Sequence, residues 1–216
     1  MLREGLIKCV EARIAETLSG EFSLKALDGL RSFAARTRYC GQHLNRMASG
    51  SGRIVYDMGD GTVLKLAKNP KGVAQNNVES EPFMQQYDVV AKVTESSAQD
   101  TWLVAQKAEK MTTAKFKAIN GYTFKVFKEC LWAYHQQSKG KNTPWPSEYL
   151  EVSEDEFYQE ITDLMGNYDM PYGDLARPST YGVVGNKVVL TDYGLTSYVY
   201  EEHYAPKKKP SHGYGY

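Results

Sequence analysis

The sequence lacks clustered metal ligands. Its three cysteines, Cys9, Cys40 and Cys130, stand far apart with no CxxC pair, and His43, His135, His203 and His212 are equally scattered. Structural zinc takes paired ligands at short spacing, so no zinc site is expected. Long apolar runs are missing too. Stretches such as Val188-Val189-Leu190 are only a few residues long, far short of the roughly 20 that a bilayer-spanning helix needs. There is no surplus of charge: 26 Lys+Arg balance 26 Asp+Glu. That balance argues against a dedicated nucleic-acid binder, which carries excess positive charge. The opening residues Met1 to Gly5 lead into an amphipathic stretch with Glu4 and Glu11, not the apolar core of a signal peptide. Together with the odd number of cysteines this leads to the expectation of a cytoplasmic protein in a reducing compartment.

What the chain does have suits a packed core. Of its 216 residues, 42% are hydrophobic and 24% charged, which fits one domain or two small lobes sharing a core. The 16 tyrosines read as packing residues. Leu2, Leu6, Val10, Ile14 and Leu18 recur every four residues and predict an amphipathic helix over 2–18. Ser23 can cap a second helix carrying Leu24, Leu27, Leu30 and Ala34. The pair reads as an N-terminal helical hairpin that packs on the domain behind it or presents a face to a protein partner. From Ala48 the texture changes. Ala48 to Gly52 reads as a flexible glycine run, and Arg53 to Met58 alternates as a strand with Ile54, Tyr56 and Met58 on one face. Gly59-Asp60-Gly61 is a hairpin turn, and Thr62 to Ala67 returns as a strand. A short helix over Val73 to Glu81, ended by Pro82, and strands near Ala91 to Thr94 and Trp102 to Gln106 follow.

The second half reads as mainly helical. Phe124, Phe127, Leu131 and Tyr134 keep a 3.6-residue period, and Lys139 to Pro146 is a linker. Ser153 to Glu156 has the form of a capping box for a helix burying Phe157, Ile161, Leu164 and Met165, with Gly166 as its C-cap. Then come Tyr172-Gly173-Asp174-Leu175, a hairpin turning at Gly185-Asn186, Asp192-Tyr193-Gly194, and a tail from Ala205 to Tyr216 that reads as flexible. Three lysines at Lys207 to Lys209 are too few for a targeting signal.

Glycine loop, hairpin, lysine strand, glutamate helix, two strands, helices, aspartate loop, hairpin and Asp-Tyr-Gly stand in the order of the protein-kinase-like family. The resemblance covers roughly Ala48 to Leu195. Ser51-Gly52-Arg53-Ile54-Val55-Tyr56-Asp57 and Asp192-Tyr193-Gly194-Leu195 resemble small kinase-like proteins encoded by tailed bacteriophages. Tyr172-Gly173-Asp174-Leu175 is similar to the His-Gly-Asp of small-molecule phosphotransferases, with tyrosine for histidine. The resemblance implies an α+β, bilobal, protein-kinase-like fold with a β-rich N-lobe over 46–109 and a reduced helical C-lobe over 110–200, preceded by the helical extension 1–45 and followed by the tail 201–216.

It also implies roles. Gly50, Ser51, Gly52 and Val55 would approach nucleotide phosphates, although Ala48 and Arg53 stand where that family has two further glycines. Lys65 would pair the phosphates and a helix glutamate, with Lys68 as runner-up on the opposite strand face. Glu79, 14 residues on, is the candidate partner, with Glu81 behind it. Asp192 would hold Mg²⁺ against the phosphates of ATP, and Asp174, 18 residues earlier, would orient or deprotonate the acceptor hydroxyl. Five positions after Asp174 the family has a metal-binding asparagine. Ser179 stands there instead, which puts two-metal binding in question. Only 22 residues follow Gly194, so the helical subdomain that holds peptide substrates is expected to be missing. Two classes stay open: an ATP- and Mg²⁺-dependent phosphotransferase of unknown acceptor, or a catalytically inactive kinase-fold binding protein, virion-associated or acting on a host component.

Overall fold

A computed structural model describes residues 21–205. The helix expected over 2–18, Cys9 and the tail beyond Ala205 lie outside the described residues.

Ser23 does cap a helix, α1 (Leu24–Asp28), its hydroxyl accepting from the Ala26 amide. The helix is shorter than the spacing predicts. Gly29 closes it, and Ser32 accepts from the Ala35 amide to start a separate helix, α2 (Phe33–His43). Two N-cap serines nine residues apart thus split one apolar period into two rods.

The chain then builds a five-stranded antiparallel sheet from β1 (Asn45–Ser49), β2 (Arg53–Asp57), β3 (Thr62–Ala67), β4 (Val93–Ser96) and β5 (Trp102–Gln106), in the order β1-β2-β3-β5-β4. Ala48 and Ser49, expected in the flexible run, instead pair with Val55 and Ile54, and the loop shrinks to a tight turn over 50–52. In the β2–β3 hairpin, Gly59 and Gly61 take φ of 82° and 86°, values that glycine adopts without strain. The register places Val55 opposite Lys65.

Both faces of this sheet are covered. Ile54, Tyr56, Leu64, Leu66, Trp102 and Val104 pack with Leu27, Tyr39 and Cys40 of α1 and α2. The opposite face, with Val63, Leu103 and Ala105, meets α3 (Pro70–Ser80). That helix begins three residues earlier than the apolar pattern suggests. Asn69 caps it by accepting from the Gly72 amide at 3.3 Å, and Pro70 takes the first position, where its missing N–H costs nothing.

The rest is helical around a second, three-stranded antiparallel sheet of β6 (Glu109–Lys110), β7 (Tyr181–Val184) and β8 (Lys187–Leu190), with Gly185 at the hairpin turn. The helices are α4 (Thr113–Asn120), α5 (Phe124–Ser138), α6 (Tyr149–Ser153), α7 (Glu156–Asn167), the single turn α8 (Tyr172–Leu175) and α9 (Ser197–His203). Phe116, Phe124, Phe127, Phe157 and Tyr181 form one aromatic nucleus. α9 carries regular structure past residue 200, where the tail was expected to begin.

The capping box at 153–156 is not made. Ser153 ends α6 and its hydroxyl donates to the Leu150 carbonyl, while Asp155 occupies the N-cap of α7 and its carboxylate accepts from the Tyr122 hydroxyl instead of capping. Gly166 lies inside α7, which runs to Asn167. The buried stripe of Phe157, Ile161, Leu164 and Met165 is as the period predicts.

A close backbone approach sets α3 against the glycine turn. A Cβ on Gly72 would lie 2.2 Å from the Gly52 carbonyl oxygen, backbone against backbone. Gly72→Ala is therefore expected to destabilise the fold by about 1–3 kcal/mol. The check is a lowered denaturant midpoint with unchanged slope.

Candidate active site

Between the five-stranded sheet and the helical half lies a cleft of about 970 Å³. Gly50, Ser51, Gly52, Val55, Lys65, Asp174, Ser179 and Asp192 all line it. Glu79 does not line it. It is fully buried beneath the floor.

Lys65 sits mid-strand on β3 with both sheet faces covered, so its side chain is only 5% exposed. An ammonium held there must be paired. It forms a salt bridge with Glu79, donates to the Thr191 carbonyl at 2.7 Å, and lies 5.3 Å from the centre of the Tyr193 ring. Lys68 is on the exposed rim, donating to the Gly50 carbonyl and to Ser49. The opposite-face alternative thus ties down the glycine turn. Glu81 caps the end of α3 and lines a separate cleft with Phe83, Tyr87 and Tyr168.

Glu79 organises the floor. One carboxylate oxygen accepts from Arg53 at 2.8 Å and from the backbone amides of Tyr193 and Gly194, each at 3.1 Å, and the other takes Lys65. Burial pushes its pKa up, but Arg53 and Lys65 outweigh burial and hold it down at about 2. Lys65 is lowered by its own burial and by neighbouring Arg53, which Glu79 only partly offsets. Both partners shift downward, which favours the charged form of Glu79, held by two cations, and disfavours that of Lys65, which shares the one buried anion with Arg53.

The Asp-Tyr-Gly turn is thereby pinned to α3. Tyr193 is fully buried, its hydroxyl donating to the Ala91 carbonyl at 2.7 Å. A Cβ on Gly194 would fall 2.4 Å from the Gln75 carbonyl oxygen, so only glycine lets the turn sit there. Asp192 then projects into the cleft with its side chain 64% exposed.

Asp174 follows from α8, a single turn whose geometry puts the carboxylate on the cleft wall. Arg177 pairs with it at 3.1 Å. Burial raises its pKa, Arg177 opposes that, and Asp192 adds to it. Ser179 lies exposed on the same wall. Tyr172, set against a histidine in the resemblance drawn from the sequence, does not line the cleft: its ring stacks on His135 and packs on Trp132.

Arg53 is the residue that sequence reasoning missed. Its guanidinium is buried and donates to Asn76 at 3.3 Å, to Glu79, and to Asp192 at 2.5 Å. The signal was the strand period: Arg53 shares a face with Val55, and Val55 opposes Lys65. Tyr204 was also missed. It lines the cleft mouth, accepts from the Ser51 hydroxyl at 3.2 Å, and lies 4.3 Å beneath the Lys71 ammonium.

Among the described residues no three His, Cys, Asp or Glu side chains gather to hold a metal ion. Mg²⁺ nevertheless needs only one or two carboxylates when phosphates and water complete its shell. Asp192 meets that need for one ion, since only its Oδ1 is taken by Arg53. Asp174 is likewise held through Oδ1, by Arg177, and Ser179 on the same wall adds only a neutral hydroxyl.

No protein-family model and no curated protein sequence matches this chain. Among solved structures it is similar to a choline/ethanolamine kinase family protein from Mesorhizobium loti, at 16% identity and a TM-score of 0.36, over 70% of this chain and 57% of that one. It is also similar to APH(2″)-IIa in its ternary complex with streptomycin and ATP, at 10% identity and a TM-score of 0.32, over 70% of this chain and 65% of that one. The chain thus spans under two thirds of the length of either structure. Similarity this low assigns neither a fold family nor an activity.

Proposed function

We propose that the chain is a bilobal, kinase-like phosphotransferase that binds ATP in the cleft and passes its terminal phosphoryl group to a hydroxyl acceptor. One observation carries the reading. A single cleft gathers Lys65 and Asp192 near Asp174, with a buried Glu79 holding both Lys65 and the backbone of the Asp-Tyr-Gly turn. Phosphoryl transfer is chiefly positioning and charge stabilisation, and this arrangement supplies both. Lys65 places a fixed positive charge on the floor. Asp192 is the ligand for one Mg²⁺, which when bound would neutralise phosphate charge. Asp174 orients the acceptor hydroxyl and accepts its proton.

As a base Asp174 must be ionised, so turnover rises with pH through its pKa. Arg177→Met removes the nearby positive charge that opposes burial and should move the acid limb of the kcat profile to higher pH. An acid limb that stays in place would take the proton-accepting role from Asp174.

The direct test is thermal shift of the full chain with ATP, with and without Mg²⁺, since a ligand of the native state raises its apparent stability. A second reading is supported by the Arg53–Asp192 salt bridge, which neutralises the metal ligand. Under it the chain is an inactive kinase-fold binding protein, virion-associated or acting on a host component. Absence of any shift with nucleotide would favour that reading.

A further inference from the structure

We propose that Arg53 is a built-in phosphate-binding cation, which lets the cleft hold nucleotide polyphosphate with a single divalent ion or with none. The proposal rests on the nucleotide reading of the cleft and names how its charge is met.

Arg53 stands directly after the glycine turn, as the first residue of β2, and lines the cleft with Lys65. Its guanidinium is held from behind by two side chains of one helix, Asn76 and Glu79, both fully buried. Asn76 is itself fixed, donating to the Asp100 carbonyl at 2.9 Å. The third partner is different in kind. Asp192 is 64% exposed, against 0% for Glu79. The anchoring contacts therefore stay when Asp192 turns to a metal ion or is repelled by an incoming polyanion. The released N–H of Nη2 then points into a cleft that phosphate oxygens can enter. A planar guanidinium with fixed donors suits phosphate better than an ammonium does.

The charges of the floor balance until Asp192 is engaged elsewhere. Lys65 and Arg53 are two cations against the anions Glu79 and Asp192. Once Asp192 is engaged by a metal, Arg53 supplies positive charge that a second ion would otherwise bring, at a site where Ser179 offers no anionic ligand. Burial opposes the charge on Arg53, but the Glu79 and Asp192 carboxylates outweigh it and keep the guanidinium protonated.

The test is isothermal titration of the full chain with ATP, in EDTA and in Mg²⁺, for wild type, Arg53→Lys and Arg53→Gln, with thermal midpoints recorded for each. Wild type should bind in EDTA. Arg53→Gln should lose about 10- to 100-fold in affinity there, the scale of one or two charged hydrogen bonds, with a smaller loss in Mg²⁺. Arg53→Lys keeps the charge without the fork, so it guards against a folding artefact and should fall between the two. Wild-type binding that needs Mg²⁺ and is unchanged in Arg53→Gln would overturn the role of Arg53 while leaving the cleft a nucleotide site. Wild type that binds ATP in neither buffer would overturn both.

Discussion

Glu79→Gln is expected to cost about 3–5 kcal/mol of folding stability, the scale for removing one partner of a buried ion pair. Glutamine keeps the size, and its oxygen can still accept from the Tyr193 and Gly194 amides, but its NH2 then meets the Lys65 ammonium donor to donor, so the change removes both the charge and the acceptor of Lys65. It leaves Arg53 and Lys65, both buried, with only the exposed Asp192 as an anion. Against a typical total of about 5–15 kcal/mol, that is a large share. The pH dependence gives a second check with a definite sign. Glu79 has a folded-state pKa of about 2, below the ordinary glutamate value of 4.5. Its contribution is therefore present in full above pH 4.5 and is lost as pH falls toward 2. Urea titrations of wild type and Glu79→Gln should differ most near neutrality and converge in acid. A gap that is small at pH 7, or that does not close, would show that Glu79 is not the charge that holds the floor together.

If the chain is the phosphotransferase proposed above, Asp174→Asn should lower turnover by about 10²–10⁴-fold, the usual weight of general acid–base catalysis, with nucleotide affinity unchanged because that reading puts Asp174 on the acceptor side. On the same reading Asp192→Asn should show the opposite division: Mg²⁺-dependent nucleotide binding falls, and binding in EDTA tightens, because Arg53 loses an anion that competes with phosphate. Single-turnover rates and titration of the same preparations separate the two. If Asp174→Asn weakens ATP binding as much as it slows transfer, Asp174 is part of the nucleotide site and not of the acceptor site.

Much of this site was legible because it depends on short-range rules. The Gly59–Gly61 turn fixes the hairpin register, and the register puts Val55, Val63 and Lys65 on one face. The helix after β3 brings Glu79 under that face, and the Gly185 hairpin delivers Asp192. Arg53 escaped because its identity suggests solvent, and only tertiary packing shows what covers its strand face: α3 and the Asp-Tyr-Gly turn. The α7 cap escaped for a similar reason. Ser153 looks like a cap locally, but α6 claims it first and Tyr122 claims the Asp155 carboxylate. The split of α1 from α2 was written in Ser32, a second cap that an unbroken apolar period hides.

The glycine contacts at the two ends of this site have a mechanical consequence. Gly72 rests on the Gly52 carbonyl, and Gly194 rests on the Gln75 carbonyl, so α3 is clamped between the loop above the cleft and the turn below it. A swing or roll of that helix cannot disengage Glu79 from Lys65 without prising open both backbone contacts at once. The helix is therefore expected to move as one body with the sheet and the Asp-Tyr-Gly turn. Amide exchange should report it: α3 protons should be as slow as those of β3, in one cooperative unit with the sheet.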